Sequence, residues 1–262
     1  MKNRLKRLMQ LPFCLYAWLI TVIAVVFALL SVALVPVASL RHKLAKASSR
    51  MPFLLTGCAP KIIGGEHVPL QNAVMVANHA SYVDGPLMKG YLPSRFSFVI
   101  KGEMRDIPIV HFLLRRAGSR FVERHRAGGS ALDARRIVRA AQDGQSLAFF
   151  PEGTFRKEPG IGRFRAGAFM AAIKGRMPVL PVVITGTRHM LTADDWMLRP
   201  SRIKIRILTP ILPDDPAFKD HKTLAAEARR RVLAAIDEPD LLAAEATETV
   251  SEPAQPVGLP SN

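Results

Sequence analysis

Residues 73–84 read A-V-M-V-A-N-H-A-S-Y-V-D. The first five are apolar residues without a polar interruption, the pattern of a short strand buried on both faces, as in a parallel sheet covered by helices. The next seven switch to polar and turn-forming types, so Asn78, His79, Ser81 and Asp84 gather where the strand ends. Ser81 and Asp84 also fit the S-x-x-D pattern of a helix start, in which the hydroxyl caps an amide and the acid favours the positive end of the helix dipole. A strand handing over to a helix is the repeating half of an α/β fold.

Working outward, the same alternation recurs. Phe96–Ile100, Ser146–Phe150, Val179–Ile184 and Arg202–Leu208 have strand composition. Pro108–Ala117 is predicted helical, with Pro in its first turn and Gly118 just past its end. Ser130 can cap a helix whose apolar positions Ala134, Ile137, Val138 and Ala141 lie on one face, and Gly144 closes it. Ala166–Lys174 and Lys219–Ile236 complete the helices, the last ending near Pro239. The expected fold is α/β, a mostly parallel central sheet flanked by helices.

Two regions stand outside this pattern. No charged residue occurs from Leu8 to Leu40, and YAWLITVIAVVFALLSVALV within it is long enough for a hydrocarbon core, which needs about 20 residues. Four cations precede the run (Lys2, Arg4, Lys6, Arg7) and four follow it (Arg41, Lys43, Lys46, Arg50), so flanking charge does not orient it. Pro36 leaves both a single span and a helical hairpin open, and a cleaved leader is disfavoured because the run exceeds the usual apolar core of one. Residues 1–50 are therefore expected to be a membrane anchor with basic flanks, 51–236 a catalytic domain, and 237–262 an acidic, Pro- and Ala-rich disordered tail.

The 262 residues carry 37 Lys and Arg against 21 Asp and Glu, a net charge of +16. Asp237, Glu238, Asp240, Glu245, Glu248 and Glu252 fall in the tail, which has no Lys or Arg, so the rest of the chain stands at +22. Such a body suits an anionic partner, and the apolar run points to an anionic membrane rather than nucleic acid, for which no reader motif is present. Two cysteines without C-x-x-C spacing and seven scattered histidines offer neither a disulfide framework nor a metal-ligand pattern.

In α/β folds, chemistry gathers past the carboxyl ends of strands. There, His79 is the side chain whose ordinary pKa suits proton transfer near neutrality, and Asp84 can hold its imidazole in one tautomer. The plainer alternative is a helix cap. F-P-E-G-T-F, Phe150–Phe155, places Glu152 and Gly153 where a strand must turn: Glu152 can accept from a substrate hydroxyl, and Gly153 lets amides approach an anion. Arg156, Lys157, Arg163 and Arg165 offer charge to a phosphate, or else form a solvated basic loop. In G-S-R-F-V-E-R, Gly118–Arg124, Arg120 and Arg124 suit a phosphate clamp or a charged sheet edge, and Lys101 ends another strand.

These segments, in order, resemble the four motifs of the glycerolipid acyltransferases: Asn78–Asp84, Gly118–Arg124, Phe150–Thr154 and Val179–Gly186. The resemblance spans about residues 60 to 210 and implies a membrane-bound O-acyltransferase of the 1-acylglycerol-3-phosphate type, making phosphatidic acid in phospholipid biosynthesis. It makes His79 the base that deprotonates an acceptor hydroxyl attacking an acyl thioester, with Asp84 orienting the ring. Arg124, Glu152 and Gly153 would bind the glycerol phosphate, Lys101 matches a basic position before the second motif, and Thr154 and Arg156 extend the acceptor loop. One departure is visible. The third motif commonly runs Glu-Gly-Thr-Arg, and here Phe155 takes the arginine position, with Arg156 one later.

The implied partners are lysophosphatidic acid or a related lysolipid and a thioester of acyl carrier protein or coenzyme A, a substrate rather than a cofactor. The implied location is the inner, cytoplasmic membrane with the catalytic domain facing the cytoplasm. The absence of G-x-S-x-G and of a cysteine beside a candidate base favours direct transfer over an acyl-enzyme. Sibling acceptors (lyso-ornithine lipid, another lysophospholipid, glycerol 3-phosphate) and an inactive lipid-binding scaffold are the competing readings.

Overall fold

The computed structural model describes residues 2–122 and 129–243. Its helices are α1 (Lys2–Leu34), α2 (Ala38–Leu55), α3 (Asp84–Tyr91), α4 (Pro108–Arg116), α5 (Gly129–Gln142), α6 (Gly167–Gly175), α7 (Thr187–Met190) and α8 (His221–Ala234). Its strands are β1 (Lys61–Ile63), β2 (Val74–Ala77), β3 (Ser97–Lys101), β4 (Arg120–Val122), β5 (Leu147–Phe149), β6 (Val179–Thr185) and β7 (Lys204–Ile207). They form one sheet in the order β1-β7-β6-β2-β5-β3-β4, parallel throughout except between β6 and β7.

Side-chain alternation divides the core. From β2, Val74 and Val76 join Phe169, Leu224 and Val232 on the face covered by α5, α6 and α8. Met75 and Ala77 join Leu87, Met88, Leu180 and Phe53 on the opposite face. Both faces being covered explains why the central strands read as unbroken apolar runs. Each fully buried Leu or Met is worth about 1.5–3 kcal/mol relative to leaving it exposed. In β7 the alternation is half polar: Lys204 and Arg206 are exposed, and Ile205 and Ile207 are buried.

Pro36 does break the N-terminal segment. Helix α1 stops at Leu34 and α2 begins at Ala38 and packs back on it, so this region is a helical hairpin. Among the described residues, only Arg7–Leu34 is a helix long and apolar enough to cross a membrane. One face of α1 is buried through Cys14, Ala17, Ala24, Ala28 and Val32, at helical spacing. Its opposite face leaves Leu15, Leu19, Val22, Val26 and Leu30 exposed.

Cations from neighbouring segments close the helix ends near the hairpin. Arg116 Nε donates to Val32 O at 2.9 Å, Lys89 Nζ to Ala117 O at 3.0 Å and Lys46 Nζ to Leu92 O at 2.8 Å. Positive charge at a carboxyl-terminal helix end complements the dipole. Burial, with Lys46 nearby, holds Lys89 below its ordinary pKa.

Three expectations change. Strand β1 has no counterpart in the sequence reading, because three residues carry too little pattern. Helix α3 begins at Asp84 rather than Ser81; the Ser81 hydroxyl donates to Leu191 O at 2.7 Å and accepts Val83 N–H at 3.4 Å. The boundary placed after residue 236 moves: residues 237–243 lie on the body, because Glu238 and Asp240 meet Arg188 and Arg229. Counting the acids could not identify their partners. The rest of the expected tail lies outside the described residues.

Candidate active site

Strands β2, β3, β5 and β6 run parallel, so their carboxyl ends share one edge of the sheet. Asn78 extends the β2–β6 pairing with its side chain: Nδ2 donates to Ile184 O at 2.9 Å and Oδ1 accepts from Ile184 N–H at 2.7 Å. That tie fixes the point at which the chain leaves the sheet, one residue before His79.

His79 Nδ1 lies 2.9 Å from Asp84 Oδ2, with Asp84 fully buried in the first turn of α3 and the His79 side chain 17% exposed. The same Oδ2 accepts the N–H groups of Ala80 at 2.7 Å and Ser81 at 2.8 Å. Asp84 Oδ1 is buried and has no hydrogen-bond partner among the described residues. A carboxylate can only accept, so Nδ1 donates to it, and the lone pair is left on Nε2. The imidazole plane is also fixed by packing. Phe150 stacks on it at 4.1 Å between centroids, and Phe155 meets it edge-on at 4.6 Å.

Past β5, the chain turns at Gly153, whose φ of 82° suits glycine and whose N–H donates to Phe150 O at 3.0 Å. Glu152 ties two segments together: Oε1 accepts from His79 N–H at 3.0 Å and Oε2 from Gly162 N–H at 2.9 Å. Burial raises its pKa, and these two amides partly offset the rise. Glu152 was expected to accept from a substrate hydroxyl, yet each of its oxygens already holds a backbone amide.

A cavity of about 300 Å³ opens beside His79, lined by Glu152, Thr154, Arg156, Gly160, Gly162, Arg163, Arg165 and Leu241. His79, Asp84, Glu152, Gly153, Thr154 and Arg156 are thus brought together as expected. Phe155 closes the aromatic wall against His79 and Tyr82, and Arg156, one residue later, lines the cavity. Lys101 ends β3, beside β5 at the same sheet edge, and its side chain lies outside the described residues. Arg120 does not join the group. It sits on outer strand β4 with Nη2 on Gln145 Oε1, away from the cavity lining. Arg124, its expected clamp partner, lies outside the described residues.

Sequence reasoning missed the ring stacking of Phe150, the cavity glycines 160 and 162, and the contributions of Arg188, Arg229 and Leu241. The run E-P-G-I-G-R, Glu158–Arg163, was a usable signal for the glycines. Among the described residues, no three His, Cys, Asp or Glu side chains converge to hold a metal ion.

Comparison with known proteins agrees with this geometry. The sequence model of the family described as Acyltransferase matches residues 60–185. The 1-acyl-sn-glycerol-3-phosphate acyltransferase of Cocos nucifera is 29% identical over 157 residues, 60% of this chain and 51% of that protein. That of Limnanthes douglasii is 26% identical over 202 residues, covering 75% and 72%. The lyso-ornithine lipid O-acyltransferase of Pseudomonas aeruginosa is 31% identical over 148 residues, covering 56% and 54%. This chain therefore spans from about half to nearly three quarters of these relatives. In fold it is similar to the crystal structure of the 1-acyl-sn-glycerophosphate acyltransferase of Thermotoga maritima, at a TM-score of 0.70 and 23% identity, over 95% of this chain and 99% of that one. His79 and Asp84 both lie inside residues 60–185, the segment that matches the acyltransferase family, and the chain shares the fold of that neighbour.

Proposed function

We propose that this protein transfers a fatty acyl group from a thioester of acyl carrier protein or coenzyme A to the sn-2 hydroxyl of 1-acyl-glycerol 3-phosphate, giving phosphatidic acid and a free thiol. The observation that carries this reading is the His79–Asp84 pair at 2.9 Å on the wall of a cavity that also holds Arg156, Arg163 and Arg165. Guanidinium groups suit a phosphate, and an oriented neutral imidazole suits a hydroxyl.

In the reaction, His79 Nε2 takes the proton of the acceptor hydroxyl as its oxygen attacks the thioester carbonyl. The tetrahedral intermediate then breaks its C–S bond, and the imidazolium returns the proton to the departing thiolate. Asp84 stabilises the transient positive charge on the ring. No protein nucleophile is required, in keeping with Cys14 and Cys58 both being buried and outside the cavity lining.

Helix α1 supports a membrane seat in one leaflet rather than a free-standing span. Along its length it touches the domain: Arg7 pairs with Asp195, Trp18 Nε1 donates to Trp196 O at 2.9 Å, and Val32 O accepts from Arg116. Only its opposite, apolar face is open to lipid. A lysolipid then enters laterally, and a soluble acyl carrier meets the domain from the cytoplasm.

A lyso-ornithine lipid is the second acceptor to test, because one relative carries that name and Phe155 replaces the usual arginine. Vesicle-reconstituted protein should be offered both thioesters with lysophosphatidic acid, lyso-ornithine lipid and glycerol 3-phosphate. Transfer to lysophosphatidic acid above the other acceptors is the expected result. Preference for another acceptor reassigns the headgroup, and transfer to none by folded protein overturns the enzymatic reading.

A further inference from the structure

One wall of the cavity beside His79 comes from a segment remote in sequence. After α8 the chain returns across the loop at residues 160–163, where Ile161 N–H donates to Pro239 O at 2.9 Å and Leu241 N–H to Ile161 O at 3.3 Å. Two arginines hold this crossing. Arg229, on α8, donates Nε to Gly162 O and Nη2 to Ile161 O, each at 2.9 Å, while Nη1 meets Asp240 Oδ2 at 3.0 Å. Arg188, on α7, donates Nη1 to Arg156 O at 2.7 Å and Nη2 to Glu238 Oε2 at 3.1 Å, and that oxygen also accepts Gly160 N–H at 2.8 Å.

The crossing is close. A Cβ on Gly160 would stand 2.6 Å from Leu241 Cδ2, and Gly160 has a φ of +138°, so glycine is required twice over, by contact and by conformation. The network also reaches the proposed base: Gly162, whose carbonyl Arg229 holds, gives its N–H to Glu152, and Glu152 holds the N–H of His79.

We infer that residues 237–243 form a strap that completes the acceptor-headgroup cavity, with Leu241 as a specificity-determining residue and Arg229 as a positioning residue for loop 160–163. This rests on the function proposed above. Arg156, Arg163 and Arg165 line the same cavity as Leu241: guanidinium donors fit a phosphate, whereas Leu241 offers neither donor nor acceptor and narrows the room left for a substituent on that phosphate. A terminal phosphate monoester is accommodated, and a phosphodiester headgroup collides with the strap.

The test uses full-length protein in vesicles with the variants Leu241→Ala, Leu241→Trp, Arg229→Lys and Arg229→Met. The ratio of kcat/KM for lysophosphatidic acid to that for lysophosphatidylethanolamine should fall about tenfold in Leu241→Ala, the scale of a change in pocket volume. In Leu241→Trp, KM for lysophosphatidic acid should rise, with KM for the thioester unchanged. Arg229→Met should raise acceptor KM more than it lowers kcat, and Arg229→Lys should recover part of the loss. An unchanged acceptor ratio in both Leu241 variants overturns the proposal.

Binding of glycerol 3-phosphate, followed by calorimetry, tests the strap without turnover. Leu241→Trp should weaken it about tenfold, and equal affinity in wild type and variant overturns the strap even where no transfer is detected. A wild type that binds glycerol 3-phosphate through the strap yet transfers to no acceptor instead overturns the enzymatic reading alone.

Discussion

The two sides of the cavity are built differently. On the His79 side, bonds are short, mostly to backbone and shielded: Asp84 is fully buried, and one of its oxygens gathers the imidazole and two amides. On the strap side, backbone bonds are joined by ion pairs whose carboxylates stand closer to water than Asp84, with side-chain exposures of 18% for Glu238 and 35% for Asp240. A proton-transferring group must already be oriented when substrate arrives, and burial with backbone donors enforces one geometry. A wall that selects among headgroups needs only shape, and partly exposed ion pairs supply that at a modest gain in stability.

The sharpest way to break the contrast is Asp84→Asn. It should lower kcat by about 10²–10⁴-fold, the usual worth of an oriented general base, and leave acceptor KM nearly unchanged in steady-state assays. Next comes Asn78→Ala, which removes both bonds to Ile184 and should cost about 1–3 kcal/mol of stability in urea unfolding through the buried groups it orphans. On the strap side, Asp240→Asn should change global stability by no more than about 1 kcal/mol while increasing proteolytic cleavage near residue 240.

The smallest effect concerns pH. Hydrogen bonding from Arg229 holds the Asp240 carboxyl at about 2, below its ordinary 3.8. A depressed carboxyl pKa contributes stability that is fully present above the ordinary value and is lost as pH falls through the folded one. The strap's grip should therefore persist at pH 5 and be lost as pH falls through about 2, observable in the carboxyl carbon shifts of Asp240.

The His79 side was the legible one. Its strand, turn and acid occupy one short segment, Ala73–Asp84, so local pattern sufficed to find the pair, and Phe150–Gly153 marked the adjoining turn. The strap was illegible for the opposite reason. Arg188 and Glu238 are 50 positions apart, and Arg229 reaches Gly162 across 67, separations that no periodicity encodes. In the sequence Arg229 is one of three consecutive arginines within the expected helix Lys219–Ile236, and Glu238 and Asp240 read as charge in a tail. Arg120 stands apart from the cavity for a topological reason: order in sequence put Gly118–Arg124 between two site motifs, but the sheet places β4 at its outer edge.

The central claim is that His79, oriented by Asp84, removes the acceptor's proton. The most direct measurement is single-turnover acyl transfer to lysophosphatidic acid by wild type and His79→Ala in the same vesicles, across pH. The account predicts a fall of about 10²–10⁴-fold in the variant at every pH tested, with thioester and acceptor binding retained. Transfer in His79→Ala within a few-fold of wild type, with the same pH profile, would contradict it.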